Sequence, residues 1–200
     1  FRSELSREYV LEKLCFLAVS YFCMGTEYRF LHQLSSVSKQ AGAYLADVGS
    51  HQMWSAQSLE LSSNQYFLTS GGMGAMGFAL PAAIGVTLAM QMPVIAIIGD
   101  GSMQLNIQEL QTIAQKQLPV KIIVINNQSL GMIRQFQDSY FESKHQSTVW
   151  GYSAPDFSKV ARAYDIASFT VEKEGQIEEG LKQMWEQDNA PFLLQVMIDV

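Results

Sequence analysis

The sequence predicts a three-layer α/β/α domain built on a mainly parallel central sheet. Three observations carry that expectation. Val94-Ile95-Ala96-Ile97-Ile98 and Val120-Lys121-Ile122-Ile123-Val124-Ile125 are short, β-branched apolar runs. Between them Leu105, Leu110, Ile113 and Ala114 recur at helical spacing. Strand and helix patterns go on alternating along most of the chain. Strands that are apolar on both faces belong inside a sheet covered on each side, and such sheets grow from strand-helix-strand units with right-handed crossovers.

Taken in order, the patterns give these elements. Leu5 to Met24 reads as helical, whereas Gly25 to Lys39 is polar and yields no firm element. Tyr44 to Val48 and Tyr66 to Thr69 read as short strands. Phe78 to Met90 reads as a helix, since a proline is tolerated in the first turn. The helix running from Leu105 to Ala114 is closed by Leu118-Pro119. Helices follow near Pro155 to Tyr164 and Ile177 to Glu186, and strands near Ala167 to Val171 and Phe192 to Ile198. No internal repeat or low-complexity linker interrupts them.

Composition narrows the function classes. The 200 residues are 48% hydrophobic, enough for one domain with a core and several layers. Thirteen basic against 19 acidic residues leave a net charge of -6, the wrong field for a surface that must meet phosphates along a nucleic acid. Residues 61 to 99 carry no charged side chain, but Pro81, Gly85 and Gln91-Met92-Pro93 break the stretch into pieces too short to span a bilayer. The run from Leu14 to Met24 is also too short, and it lacks a small-residue cleavage pattern. Cys15 and Cys23 have neither redox-pair nor zinc spacing and are expected to be reduced, buried thiols. A chain that opens on Phe1 is expected to be a fragment or a processed product.

In open parallel sheets ligands bind beyond the carboxyl ends of the strands, where loops and helix N-termini present backbone amides. The run Val94 to Ile98 ends in Gly99-Asp100-Gly101-Ser102, and the next ends in Asn126-Asn127-Gln128-Ser129. One crossover joins them, so Asp100 and Asn127 are expected on one rim, within reach of the same ion. Magnesium takes hard oxygen ligands in octahedral array, and diphosphate oxygens and water would complete such a set. Gly99 and Gly101 remove side chains where a phosphate would approach the main chain, and Ser102 and the following helix offer it donors.

A second pattern competes. Gly72-Met73-Gly74-Ala75-Met76-Gly77 is a literal G-x-G-x-x-G between a strand and a helix, with an acid downstream at Asp100, the outline of a dinucleotide-binding fingerprint. Its strand is short and polar at its start, however, and Asp100 sits in a second glycine loop that a ribose-binding acid does not need. A third reading is a regulatory module that keeps the fold and binds no cofactor.

Gly-Asp-Gly followed, after a helix and a strand, by Asn-Asn resembles the signature of thiamine-diphosphate enzymes. Asp47-Val48-Gly49-Ser50-His51-Gln52-Met53-Trp54, Thr69 to Gly77, Leu80 to Gly85 and Leu130-Gly131-Met132-Ile133-Arg134-Gln135 are similar to the acetohydroxyacid synthase (acetolactate synthase) catalytic-subunit family. The likeness starts near Ala46. It therefore implies a thiamine-diphosphate-binding domain over residues 44 to 200, with residues 1 to 43 as the tail of a preceding linker or domain.

Position by position, the resemblance implies that Asp100, Asn127 and the main-chain carbonyl of Ser129 bind magnesium. Gly49, Ser50, His51, Gly101, Ser102 and Gly131 would meet the diphosphate, with Ser50 standing where the family often has glutamine. Met76 would wedge under the cofactor's two rings and Met132 would line the other side. Phe136 replaces a tryptophan associated with choice of the acceptor substrate. The activity implied is a transferase of branched-chain amino acid biosynthesis in the cytoplasm, joining a two-carbon fragment of pyruvate to a second carbonyl compound. A related carboligase acting on a keto-sugar is the nearest alternative. The family also implies a homodimer or tetramer, a regulatory subunit, FAD on a separate domain in many members, and an activating glutamate on another domain. That glutamate has no counterpart in these 200 residues, so no catalytic residue is assigned and the chain alone is expected to be inactive.

Overall fold

The computed structural model describes residues 25–198. Cys15, Cys23 and the helix expected over Leu5 to Met24 lie outside them. Six strands form one sheet in the order β2-β1-β3-β4-β6-β5, every neighbouring pair parallel. They are β1 (Ala43–Ala46), β2 (Tyr66–Thr69), β3 (Val94–Gly99), β4 (Val120–Asn126), β5 (Ala167–Val171) and β6 (Phe192–Met197). The three-layer α/β expectation is met, and β2 and β5 start and stop where the sequence placed them.

The two-sided hydrophobicity of β3 and β4 explains their central position. Val94, Ala96, Ile98, Val120, Ile122 and Val124 face one layer, packing on α3 (Ala79–Met90), α5 (Glu109–Gln115) and α7 (Phe157–Ala163). Ile95, Ile97, Ile123 and Ile125 face the other, against α1 (Thr26–Val37) and α8 (Ile177–Met184). Lys121 is the exception on this second face. Its wholly buried ammonium donates to the carbonyls of Gln187 and Ala190, both at 2.7 Å, and so satisfies the turn that leads into β6.

Three departures from expectation have physical causes. The polar stretch after Gly25 is helical because Phe30, Leu31 and Leu34 supply a narrow buried stripe. Strand β1 stops at Ala46, and after a turn the chain enters α2 (Ser50–Ser58). The helix expected from Leu105 to Ala114 is two helices, α4 (Asp100–Leu105) and α5. Asn106 leaves helical geometry between them, and its Nδ2 donates to the Gly77 carbonyl at 2.8 Å. Among the described residues no helix is long and apolar enough to cross a membrane.

Candidate functional site

Strand order places the site. From β1 the chain passes to β2 on one side, and from β3 it passes to β4 on the other, so β1 and β3 flank a topological switch point, where open α/β sheets bind ligands. Three helices start at this rim: α2 after β1, α4 after β3, and α6 (Gly131–Tyr140) after β4. The first N–H groups of a helix have no partner within it and carry partial positive charge. Three such ends around one cavity make a cradle for an anion.

A cavity of about 290 Å³ opens there. It is lined by Gly49, Ser50 and His51 from the start of α2, by Gly99, Asp100, Gly101 and Ser102 around the start of α4, and by Asn127, Ser129, Gly131 and Met132 around the start of α6. Met76 and Gly74 reach it from the loop after β2. The structure thus brings together all the cofactor and metal candidates named from the sequence. Phe136 stands apart from them. It lies on the outer side of α6, 55% exposed, with its ring 4.7 Å from that of Tyr140 and 5.8 Å from that of Phe141.

The glycines are there for space. A Cβ on Gly101 would stand 2.6 Å from Leu130 Cδ2, 3.2 Å from the Tyr152 hydroxyl and 3.5 Å from Met76 Cε. One on Gly131 would stand 2.8 Å from Ser50 Oγ and 3.1 Å from Asn127 Nδ2. At both positions the missing side chain lets neighbouring side chains of the cavity wall close in on the main chain.

The donor set fits a divalent cation with a diphosphate. Asp100 is 3% exposed; one carboxylate oxygen, Oδ1, accepts from the Gly101 N–H at 2.9 Å, while buried Oδ2 has no partner. Burial pushes its carboxyl above the ordinary range, and the Gly101 N–H, the Tyr152 hydroxyl and the main chain of Gln128 and Ser129 offset this only in part. A buried carboxylate oxygen without a donor is costly, and a cation is what would satisfy it. The hydroxyls of Ser102 and Ser129 are also buried and unpartnered. No cluster of three or more His, Cys, Asp or Glu side chains exists among the described residues. The protein therefore offers a lean site, of the kind magnesium occupies when phosphate oxygens supply the remaining ligands. Asn127 Oδ1 accepts from the Ser129 N–H at 3.2 Å and Asn126 Oδ1 from the Gln128 N–H at 3.1 Å, so side chains brace this turn, in which Gln128 is left-handed.

Two further residues belong to the site that the sequence did not single out. Asp47, wholly buried, binds His51 Nε2 at 2.5 Å and the Gly77 N–H at 2.8 Å. Tyr152 turns a buried, unpartnered hydroxyl toward Asp100 and Gly101; burial first, and the Asp100 charge second, push its phenol up. Asp47 opens a motif quoted from the sequence, which was its only signal. Tyr152 had none.

The G-x-G-x-x-G segment follows β2, which is an edge strand with Tyr66 and Leu68 exposed. A dinucleotide fingerprint needs a central, buried strand. Here the segment instead brings Gly74 and Met76 to the cavity that holds Asp100.

Comparison with known proteins agrees with this geometry. The family model for the C-terminal TPP-binding domain of thiamine pyrophosphate enzymes matches residues 47–196. The chain is similar to the acetolactate synthase isozyme 2 large subunit of Escherichia coli (strain K12), with 42% identity over 170 residues, 84% of this chain and 31% of that protein. It is 46% identical over 144 residues to the acetolactate synthase large subunit of Pyropia yezoensis, covering 72% of this chain and 24% of that one. With acetolactate synthase 1, chloroplastic, of Oryza sativa subsp. japonica it shares 37% identity over 172 residues, 82% and 27% of the two chains. The chain spans less than a third of the length of these relatives.

Proposed function

The chain belongs to the thiamine pyrophosphate enzyme family as a C-terminal TPP-binding domain, and from that premise we propose that residues 44–200 are the diphosphate-binding part of an acetolactate synthase-like carboligase. The carrying observation is the unpartnered Asp100 Oδ2 at the meeting point of three helix N-termini. Asp100, Asn127 and the Ser129 carbonyl would hold magnesium. The first turns of α2, α4 and α6, with Ser50, His51 and Ser102, would hold the diphosphate oxygens. Gly49 and Gly99 make room for the His51 ring, Gly101 and Gly131 would let the diphosphate approach the main chain, and Met76 and Met132 would supply apolar contact to the rings.

Thiamine diphosphate supplies an electron sink that lets a 2-oxo acid lose carbon dioxide and pass its two-carbon remainder to a second carbonyl. The protein's part is to fix and orient it. The acid among the residues lining the cavity is Asp100, assigned here to the cation, so the activating glutamate would come from another domain. The outer face of α6 supports the same arrangement. That helix buries none of its residues, and Ile133, Phe136 and Tyr140, with Phe141 just beyond it, form an exposed apolar patch beside the cavity. Another domain of the protein, or a second copy in a homodimer or tetramer, would cover it. FAD, where present, would sit outside these residues, and residues 1–43, whose helix α1 packs on this sheet, would lead in from a neighbouring domain. The relatives named large subunits favour a regulatory subunit as partner.

Pyruvate, as the two-carbon donor, is the substrate to test. Incubation of the intact protein with pyruvate, thiamine diphosphate and magnesium is expected to yield acetolactate. Pyruvate consumption only when a keto-sugar is added would favour the second reading, for which the exposed, smaller ring of Phe136 speaks.

A further inference from the structure

We propose that Asp47 is a positioning residue for the diphosphate, acting through His51; the inference rests on the cofactor reading above. Asp47 is wholly buried, and each of its carboxylate oxygens has one protein partner: Oδ1 meets His51 Nε2 at 2.5 Å, and Oδ2 accepts from the Gly77 N–H at 2.8 Å. An ionised carboxylate only accepts, so Nε2 carries the hydrogen and its direction is spent on Asp47. The ring nitrogen left for a ligand is Nδ1. It packs on the two glycines that open the cradle, 2.7 Å from where a Gly49 Cβ would stand and 3.0 Å from a Gly99 Cβ. His51 is itself only 4% exposed, so the ring has one orientation to offer. A hydrogen bond from Nδ1 to a phosphate oxygen would need a hydrogen on each ring nitrogen, with the Asp47 carboxylate as the counter-charge.

The other carboxylate oxygen anchors Asp47 and, with it, the turn that carries Met76. Gly77 has φ +78°, and a Cβ there would stand 2.8 Å from Asn106 Nδ2, so the turn is clamped between Asp47 and Asn106. One buried carboxylate thereby joins the residue meant for the diphosphate to the loop meant for the rings. An orienting carboxylate behind a ligand-binding histidine is the arrangement that fixes ring direction at metal sites, and the same physics serves an anion.

The test is a double-mutant cycle in the intact protein, reading the calorimetric affinity for thiamine diphosphate with magnesium. Asp47→Asn and His51→Gln are each expected to weaken binding about tenfold to a hundredfold, the range for one hydrogen bond to a charged group. The double variant is expected to lie within about threefold of the weaker single one, because both remove the same contact. Should Asp47→Asn not fold, Asp47→Glu keeps the charge but displaces the ring, and the same loss and non-additivity are expected. Parent-like affinity in the Asp47 variant, or losses that multiply, would overturn the proposal while leaving the cofactor reading in place. A parent protein that binds no thiamine diphosphate would overturn both.

Discussion

Gly101→Ala separates a cradle shaped for a phosphate from a loop that merely tolerates glycine. The residue is in α4 with ordinary helical backbone, so alanine gains about 1 kcal/mol in helix propensity. Against that, the new methyl carbon would stand 2.6 Å from Leu130 Cδ2, closer than real contacts allow, and 3.2 Å from the Tyr152 hydroxyl, a tight contact. Relieving such overpacking costs about 1 to 3 kcal/mol. Leu130 is only half-buried and can turn away, so the fold is expected to stay within about 2 kcal/mol of the parent, a shift of a few degrees in Tm. Affinity should suffer more, because the methyl occupies the approach to the main chain. Loss of one charge-assisted hydrogen bond, about 1.5 to 3 kcal/mol, corresponds to roughly a tenfold to 150-fold weaker Kd. Thermal unfolding without cofactor, paired with calorimetric titration of thiamine diphosphate and magnesium, reads both quantities. Affinity within twofold of the parent in a folded variant would refute the cradle.

Three other substitutions probe separate parts of the structure. Tyr152→Phe removes a buried hydroxyl that has no partner; in the presence of chelator it should raise the denaturant midpoint, by about 1 kcal/mol in stability, and a lower midpoint would show that the hydroxyl is bonded. The Lys121 ammonium is buried, which pulls its pKa down from 10.5 to about 8. The unfolded chain therefore holds a proton that the folded chain sheds, so this group's contribution to stability grows as pH rises from about 8 toward 10.5 and is lost as pH falls through 8. Urea midpoints at pH 7.5 and 9.5 should rise for the parent relative to Lys121→Met, and parallel profiles would contradict the burial effect. Phe136→Trp should raise the ratio of 2-oxobutyrate-derived to pyruvate-derived product in acceptor competition, by an amount bounded at about 1 to 3 kcal/mol for one methylene. An unchanged ratio would leave Phe136 as a surface ring.

What the sequence showed of the fold was what burial on two faces writes into it. β3 and β4 are continuous apolar runs because both sides of the sheet are covered, and their ends pointed to Asp100 and Asn127. Helix α1 escaped because its buried stripe is narrow and the rest of its surface polar, and α2 because it buries His51, Ser55 and Ser58 rather than large apolar residues. The break at Asn106 was invisible for another reason: its cause, Gly77, is 29 residues away. The same holds in the site. Metal and phosphate candidates announce themselves by glycines and short spacing, whereas Asp47 acts on Gly77 across 30 residues, and Tyr152 faces Asp100 from a loop with no motif.

The most direct test of the cation-bridged cradle is titration of the intact protein with thiamine diphosphate, followed calorimetrically with magnesium, with chelator, and in Asp100→Ala. The unpartnered Asp100 oxygen requires binding with magnesium, none after chelation, and none in the variant at any magnesium concentration that saturates the parent. Equal affinity with and without the cation, or in Asp100→Ala, would contradict it.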